Sequence, residues 1–355
     1  MTPAAMTSME RVSTALNHRE PDRVPLMLSP TLHGARELGL SIRDYFSQAS
    51  QVAEGQWRLR AKFQHDCLCS AYYAALEIEA WGGEVLFCDN GPPNAGAPVI
   101  RAADIPRLTP PRIADCPALL RVLDTTRQLA ERACGTIPVI GMVISPFSLP
   151  IMQMGFEAYL LLLYEQRPLF EHLLRVNEAF CVAWAEAQCA AGASAICYVD
   201  PMASSTLTPA DLYRATGFPC ARRTLARIPA PVTLHLASGH GLPIVQDLMA
   251  TGAVALGVSS SEDLSAFKSA CRGKVGVLGN LNGIMMRRWS AADAEQAVKT
   301  CIAKAGRGGG YLLADNHGEI PWPVADEVLF AVAEAARVWG RYPLDWIEDQ
   351  AANEH

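Results

Sequence analysis

No stretch of the 355-residue chain approaches the roughly eighteen uninterrupted apolar residues of a membrane-spanning helix. Residues Met1 to Ser8 lack the basic start and apolar run of a secretory signal. Both absences predict a cytoplasmic protein. Charge of one sign is also missing as a block. The formal net charge is −6, with no run of about five or six like charges, so neither a nucleic-acid groove nor a polybasic membrane patch has an electrostatic basis. No glycine-rich dinucleotide fingerprint follows the first apolar run, and no Asp-x-His-x-x-Gly motif of the corrinoid-binding kind occurs. Paired zinc-type cysteine motifs are absent too. The 11 cysteines include one close pair, Cys67-Leu68-Cys69, whose single intervening residue is a poor metal signature. In a long chain without a signal they read as reduced, mostly buried thiols.

What is present is apolar material: half the residues are hydrophobic and only 19% are charged, the balance of a well-buried globular enzyme. Short β-rich runs alternate with longer amphipathic ones. An opening helix is expected from Ser8 to Asn17, stopped by His18-Arg19-Glu20-Pro21. Eight candidate strands follow: Arg23–Leu28, Glu84–Phe87, Ile137–Val143, Ala195–Val199, Val232–Leu236, Ala253–Val258, Lys274–Leu278 and Gly310–Leu313. Several are continuous apolar runs, as expected of parallel strands covered on both faces. Helices are expected between them, with a pair dividing at Leu174 (Gly155–Leu174 and Leu174–Ala190) and others at Pro209–Arg227, Leu242–Thr251, Ala291–Ala305 and Val324–Trp339. Eight strand and helix units with no linker between them predict one (β/α)₈ barrel over residues 1–355, with an N-terminal helical extension.

Such a barrel carries its active site where the strands end. The polar residues there are Asp89, Asn90, Ser145, Asp200, His235, Ser259, Ser260, Asn280, Asp315, Asn316 and His317. Each also has a plainer reading. Asp200, before Pro201, suits a cap or turn. His235 ends an apolar strand and needs a partner if buried. His240, in Ser238-Gly239-His240-Gly241, is placed either beside His235 on a metal or in solvent. Asn280 binds ligand or holds the turn Asn280-Leu281-Asn282-Gly283. His317, in Asp315-Asn316-His317-Gly318, is not where packing demands an imidazole. Of Glu77 and Glu79, at most one can point inward.

On these residues the sequence resembles the uroporphyrinogen decarboxylase superfamily, from Arg11 to Pro343. The resemblance rests on Arg19-Glu20-Pro21-Asp22-Arg23-Val24-Pro25, on Glu77 to Val85, on Ala191-Gly192-Ala193 leading into Asp200-Pro201-Met202-Ala203-Ser204, on Gly279-Asn280-Leu281-Asn282, and on Trp339-Gly340-Arg341-Tyr342-Pro343. True decarboxylases of this kind carry Arg-Gln-Ala-Gly-Arg after the first strand, against the carboxylates of their substrate. Here Leu28-Ser29-Pro30-Thr31-Leu32-His33-Gly34 stands in that place, without an arginine.

The segment Asp200 to Leu207 looks more like the corrinoid-dependent methyltransferase branch. That branch implies zinc on a His-x-Cys and a later Cys, activating a thiol for methyl transfer. The first ligand matches His235, but Ala237 and His317 occupy the cysteine positions. The resemblance therefore implies a metal on His235 and His317, helped by His240, Asp315 or Glu77. It further implies catalytic Asp200, His235, His317 and Asn280, with Glu77, Ser145, His240 and Asp315 binding substrate. The expected activity is methyl transfer between a small methylated substrate or acceptor and cobalamin on a separate corrinoid protein, an O-methyl or N-methyl compound suiting the altered ligands as well as a thiol. The alternatives are a metal-free lyase of the decarboxylase kind and an inactive ligand-binding paralogue. A homodimer is compatible with each.

Overall fold

The structure is a computed structural model that describes residues 6–347. Residues 1–5, part of the start read for a signal, and residues 348–355, the end of the expected domain, lie outside it. Eight parallel strands build the centre: β1 Leu26–Met27, β2 Leu68–Cys69, β3 Val139–Ile144, β4 Ala195–Val199, β5 Val232–His235, β6 Ala255–Gly257, β7 Gly276–Leu281 and β8 Tyr311–Asp315. They pair in chain order from β2 to β8, and β8 then pairs with β1. The remaining seam lies between β1 and β2. There the Asp66 N–H donates to Leu26 O at 2.7 Å, and the Leu26 N–H returns to Asp66 Oδ2 at 2.8 Å. The circuit is that of a (β/α)₈ barrel.

The seam explains two of the motifs that carry the family resemblance. Asp66 is fully buried and takes Arg11 Nη1 at 2.7 Å, Arg23 Nη1 at 2.7 Å and Ser8 Oγ at 2.9 Å. Asp22 holds Arg11 by a second, bidentate contact at 2.6 and 2.7 Å. The closing motif lies against the opening one, Val24 donating to Gly340 O at 2.8 Å and Arg23 bridging Arg341. These residues hold the barrel shut, since a buried carboxylate with this many donors is costly to break.

One expected strand was misplaced. Glu84–Phe87 is no barrel strand: Val85–Cys88 pairs antiparallel with Gly91–Ala95 in a separate hairpin, and Asp89 and Asn90 sit exposed at its turn. The second barrel strand is the two-residue Leu68–Cys69, too short to leave an apolar run. Other boundaries moved as well. The long helical pair divides at Gln166, giving Phe156–Glu165 and Arg167–Ala190, because Pro168 starts a new helix better than it continues one. Pro209–Arg227 is likewise two helices, Ala210–Ala215 and Gly217–Leu225. β7 and β8 run on through Asn280 and Asp315, so both residues belong to strands. The first helix, Ser8–Leu16, is as expected, with a capping box between Thr7 and Glu10.

Alternation along the strands sorts side chains onto two faces. Val143, Ile196, Tyr198, Leu234, Val277 and Leu313 are fully covered by the helical layer. The opposite face points into the barrel, and below it Val12, Ala15 and Leu16 of the first helix pack on Met27, Leu278 and Leu312.

Candidate functional site

The faces decide what the strand ends can do. Asp200 continues the outward row of Ile196 and Tyr198, and Ser145 continues that of Val143. The two meet behind the strands: Ser145 Oγ and Ser148 Oγ each donate to Asp200 Oδ1 at 2.6 Å. No side-chain bond caps the helix that follows Asp200. Its Oδ2 has no hydrogen-bond partner, and burial pushes the carboxyl up to about 6. This trio fixes the loop after β3 to the end of β4, an indirect way of shaping the mouth.

His235 lies on the inward face of β5, with 3% of its surface exposed. Its ring lies against Gly257 of β6, where an added Cβ would stand 2.6 Å from Cδ2 and 3.2 Å from Nε2. A glycine inside a strand marks such a close approach. The Ala237 N–H donates to His235 Nδ1 at 3.0 Å. That bond assigns the neutral ring's proton to Nε2. Burial first, and the charge of nearby His317 second, lowers the His235 pKa to about 4. Near neutral pH the residue is therefore an uncharged N–H donor.

The loop after β8 crosses this ring, an added Cβ at Gly318 standing 3.5 Å from His235 Cε1. Asp315 Oδ2 holds the loop through the N–H groups of His317 and Gly318, both at 2.8 Å. His317 is exposed and pairs through Nδ1 with Ser238 Oγ at 2.8 Å. So His235, His317 and Asp315 come together at one end of the barrel.

The other expected residues do not join them. Asn280 Nδ2 donates to Ser259 O at 2.9 Å, and Cys301 on the outer helix Ala291–Ala305 approaches its Oδ1 at 3.6 Å, so its amide holds the loop after β6. Ser259 is spent on Ser238 O and Ser261. His240 is half-buried and binds Ser261 Oγ through Nε2 at 2.7 Å, apart from the His235 ring. Glu77 is buried in the turn of 3₁₀ helix Ala74–Trp81, where Oε1 accepts the Ile144 N–H at 2.8 Å, while Glu79 takes the Tyr73 hydroxyl at 3.0 Å. Glu77 Oε2 has no partner, beside a cavity of about 10 Å³, room for about one water. Burial pushes this carboxyl up to about 8.

Two residues escaped the sequence reading. Glu319, two positions beyond His317, is half-buried with its Oε1 covered and unpartnered, and burial pushes its carboxyl up to about 7. Thr31 lies beside it. A carboxylate directly before the apolar Ile320 was the available signal. Gly257 is the other, legible as the one glycine inside the run Ala253–Val258.

A metal on His235 and His317 meets a chemical obstacle. A ligating imidazole offers one nitrogen to the metal and normally donates from the other. His235 accepts at Nδ1, so Nε2 carries the proton and has no lone pair to give. Ala237 supplies no donor atom, and the His317 Nδ1 is engaged by Ser238. Among the described residues no group of three or more His, Cys, Asp or Glu side chains is gathered for a metal ion. The residues present do not fit the zinc centre that the resemblance implied.

A family model described as uroporphyrinogen decarboxylase (URO-D) matches residues 7–339. The chain belongs to the uroporphyrinogen decarboxylase family. Among curated relatives, it is 28% identical over 350 residues to the uroporphyrinogen decarboxylase of Xanthomonas euvesicatoria pv. vesicatoria, covering 89% of this chain and 94% of the relative. The Idiomarina loihiensis uroporphyrinogen decarboxylase is 27% identical over 242 residues, 64% of this chain and 66% of the relative. Among solved structures, a methyltransferase from Methanosarcina mazei superposes with a TM-score of 0.83 at 19% identity, over 94% of this chain and 98% of that one. A B12-independent methionine synthase from Shewanella sp. W3-18-1, with a TM-score of 0.54 at 12% identity, covers 88% of this chain and 91% of that one. Both share the fold.

The rim of the present barrel carries no arginine or lysine directly beyond its strands: the segments 28–32, 70–73, 145–149, 200–204, 236–241, 258–262, 282–284 and 316–320 contain neither. Arg36, further on, is held by Trp322 O, Val324 O and Asp326, while Arg287 and Arg288 are exposed.

Proposed function

We propose that the chain is the barrel component of a corrinoid-dependent methyl transfer, moving a methyl group between a small methylated substrate or acceptor and cobalamin carried by a separate cytoplasmic corrinoid protein. One observation carries this reading: the strand ends offer an uncharged N–H donor at His235 and a protonatable carboxyl at Glu319, with no cation among them. A substrate rich in carboxylates would find no charge partner there. The fold of the Methanosarcina mazei methyltransferase, shared over nearly the whole length, supports the same choice.

The partner's cobalt supplies the methyl-carrying chemistry. The tasks left to this chain are those of its own side chains. His235 Nε2–H donates to the heteroatom that loses the methyl group, and does so without a charge of its own. That heteroatom gains electron density and then requires a proton. Glu319, protonated for part of the time near neutral pH, can deliver it. Asp315 keeps the loop bearing His317 over the ring, and the Asp200–Ser145–Ser148 trio keeps the opposite rim in place. These are positioning tasks.

The test supplies purified protein with cob(I)alamin and isotopically labelled methyl ethers, methylamines and methyl thioethers, and follows label in the corrin. Label transfer that falls at least tenfold in His235→Gln supports the reading. Absence of transfer with every class, alongside decarboxylation of uroporphyrinogen, overturns it.

A further inference from the structure

Outside the barrel, a groove of about 590 Å³ runs between the helices Arg167–Ala190 and Gly217–Leu225, a volume within the range of about 300–1,000 Å³ usual for small-molecule sites. Its sides carry Arg167, Arg175, Arg223 and Arg227 against only Glu171 and Glu178, although the whole chain has a formal net charge of −6. The sequence has the same bias. Residues 212–246 contain four arginines and neither Asp nor Glu. The buried side chains of Phe170 and Leu174 close the floor.

Local structure accounts for only part of this charge. Glu178 is buried and needs a counter-charge. Arg223 supplies it, donating to Oε2 through Nη2 at 2.9 Å and Nε at 3.3 Å. Arg227 stands 3.8 Å from Oε1, too far for a hydrogen bond, and Arg175 forms no ion pair among the described residues. Arg223 and Arg227 are both about half exposed, at 53% and 55%. Arg167 opens its helix, the end at which the helix dipole disfavours a cation. Its Nε donates to Glu171 Oε1 at 2.7 Å and its Nη2 to Ala215 O at 2.8 Å, which leaves Nη1 over.

We propose that this groove binds an elongated polyanion of the oligophosphate class. A guanidinium presents paired N–H groups that match phosphate oxygens. Arg167 and Arg175 are two turns apart on one helix, about 12 Å at about 1.5 Å per residue, and Arg223 and Arg227 face them from the other side of the groove. That spread suits a ligand with several phosphoryl groups, not a single anion. The phosphate chain itself is what the groove can read. Glu171 and Glu178 are engaged by arginines, Thr216 Oγ1 donates to Leu212 O, and the Phe170 ring is covered, so no group is left to recognise a base or a sugar. The inference stands apart from the methyltransferase reading, because the groove shares no residue with the site at the strand ends.

The test is isothermal titration calorimetry of the full chain with sodium tripolyphosphate, with inorganic phosphate, ATP and hexaglutamate as comparisons. Saturable binding of about one tripolyphosphate per chain is expected, at least tenfold tighter than inorganic phosphate and weakened by raised salt. Arg175→Ala should weaken it at least tenfold, and because this variant breaks no ion pair the fold is retained. Arg112→Ala, at an exposed arginine outside the groove, should leave binding as it is. ATP distinguishes the sources of the chain: comparable binding admits nucleotides, whereas its exclusion restricts the site to inorganic chains, and either result supports the proposal. Absence of saturable tripolyphosphate binding, binding unchanged in Arg175→Ala, or an equal loss in Arg112→Ala overturns it. Tighter binding of hexaglutamate also overturns it, and would make the groove a docking site for an acidic protein segment.

Discussion

The contact between Gly257 and His235 can be turned into a quantitative expectation. In Gly257→Ala the new Cβ would stand 2.6 Å from His235 Cδ2, 3.1 Å from Cγ and 3.2 Å from Nε2. Unstrained carbon contacts lie at about 3.5–4.0 Å, so the ring must withdraw by about 1 Å. Overpacking of this kind costs about 1–3 kcal/mol. Withdrawal also strains the 3.0 Å bond from Ala237 N–H to Nδ1, a further contribution of about 0.5–1.5 kcal/mol. A stability loss of about 2–3 kcal/mol in urea unfolding is expected. Displacement of a donor by about 1 Å can cost about a hundredfold in rate, so methyl transfer should fall by about that factor. The double variant Gly257→Ala, His235→Ala relieves the clash. It should regain most of the stability while remaining inactive, a coupling that a double-mutant cycle measures. Stability within about 0.5 kcal/mol of wild type with unchanged activity would refute the packing argument.

Three further outcomes are expected. Glu77 has its carboxyl raised in the folded protein from 4.5 to about 8, so its contribution to stability is fully present below about pH 4.5 and is lost as pH rises towards 8; Glu77→Gln should remove that slope, of up to about 1.4 kcal/mol per pH unit, in denaturant titrations between these limits. A wild-type stability no more pH-dependent than that of the variant would contradict the burial argument. Asp200→Ala leaves the Ser145 and Ser148 hydroxyls without their acceptor and should cost about 2–4 kcal/mol, whereas Asp200→Asn keeps an acceptor and should cost under about 1 kcal/mol at pH 7; equal losses in both would show that the hydrogen bonds are not the source. Elemental analysis should find well under one zinc per chain, unchanged in His235→Ala and His317→Ala, and stoichiometric zinc lost in both variants would show that the Nε2–H assignment is wrong.

Much of the barrel was legible in the chain because strand, helix and turn patterns are local. Seven strands fell where the apolar runs are, and the one error was informative. Val85-Leu86-Phe87 has the composition of a barrel strand but belongs to an exposed hairpin, while Leu68–Cys69 is held by neighbours that no local pattern reveals. The site was harder. A residue beyond an apolar run is located along the barrel axis, but which way it faces depends on register, and one position reverses it. Asp200 and Ser145 fell on the outer face for that reason, and Asn280 turned to the loop after β6. His235 fell inward. Its tautomer depends on the backbone of Ala237, two residues on, and that is a geometric fact with no compositional trace.

The account stands on the claim that this family member handles methyl groups and not carboxylates. The direct comparison gives one preparation of the protein uroporphyrinogen in one vessel, and cob(I)alamin with methyl ethers, methylamines and methyl thioethers in another, and measures carbon dioxide and corrin methylation side by side. Corrin methylation that depends on His235, without carbon dioxide release above background, is the predicted result. Carbon dioxide release that depends on Glu319 or Asp200, without corrin methylation, would contradict it.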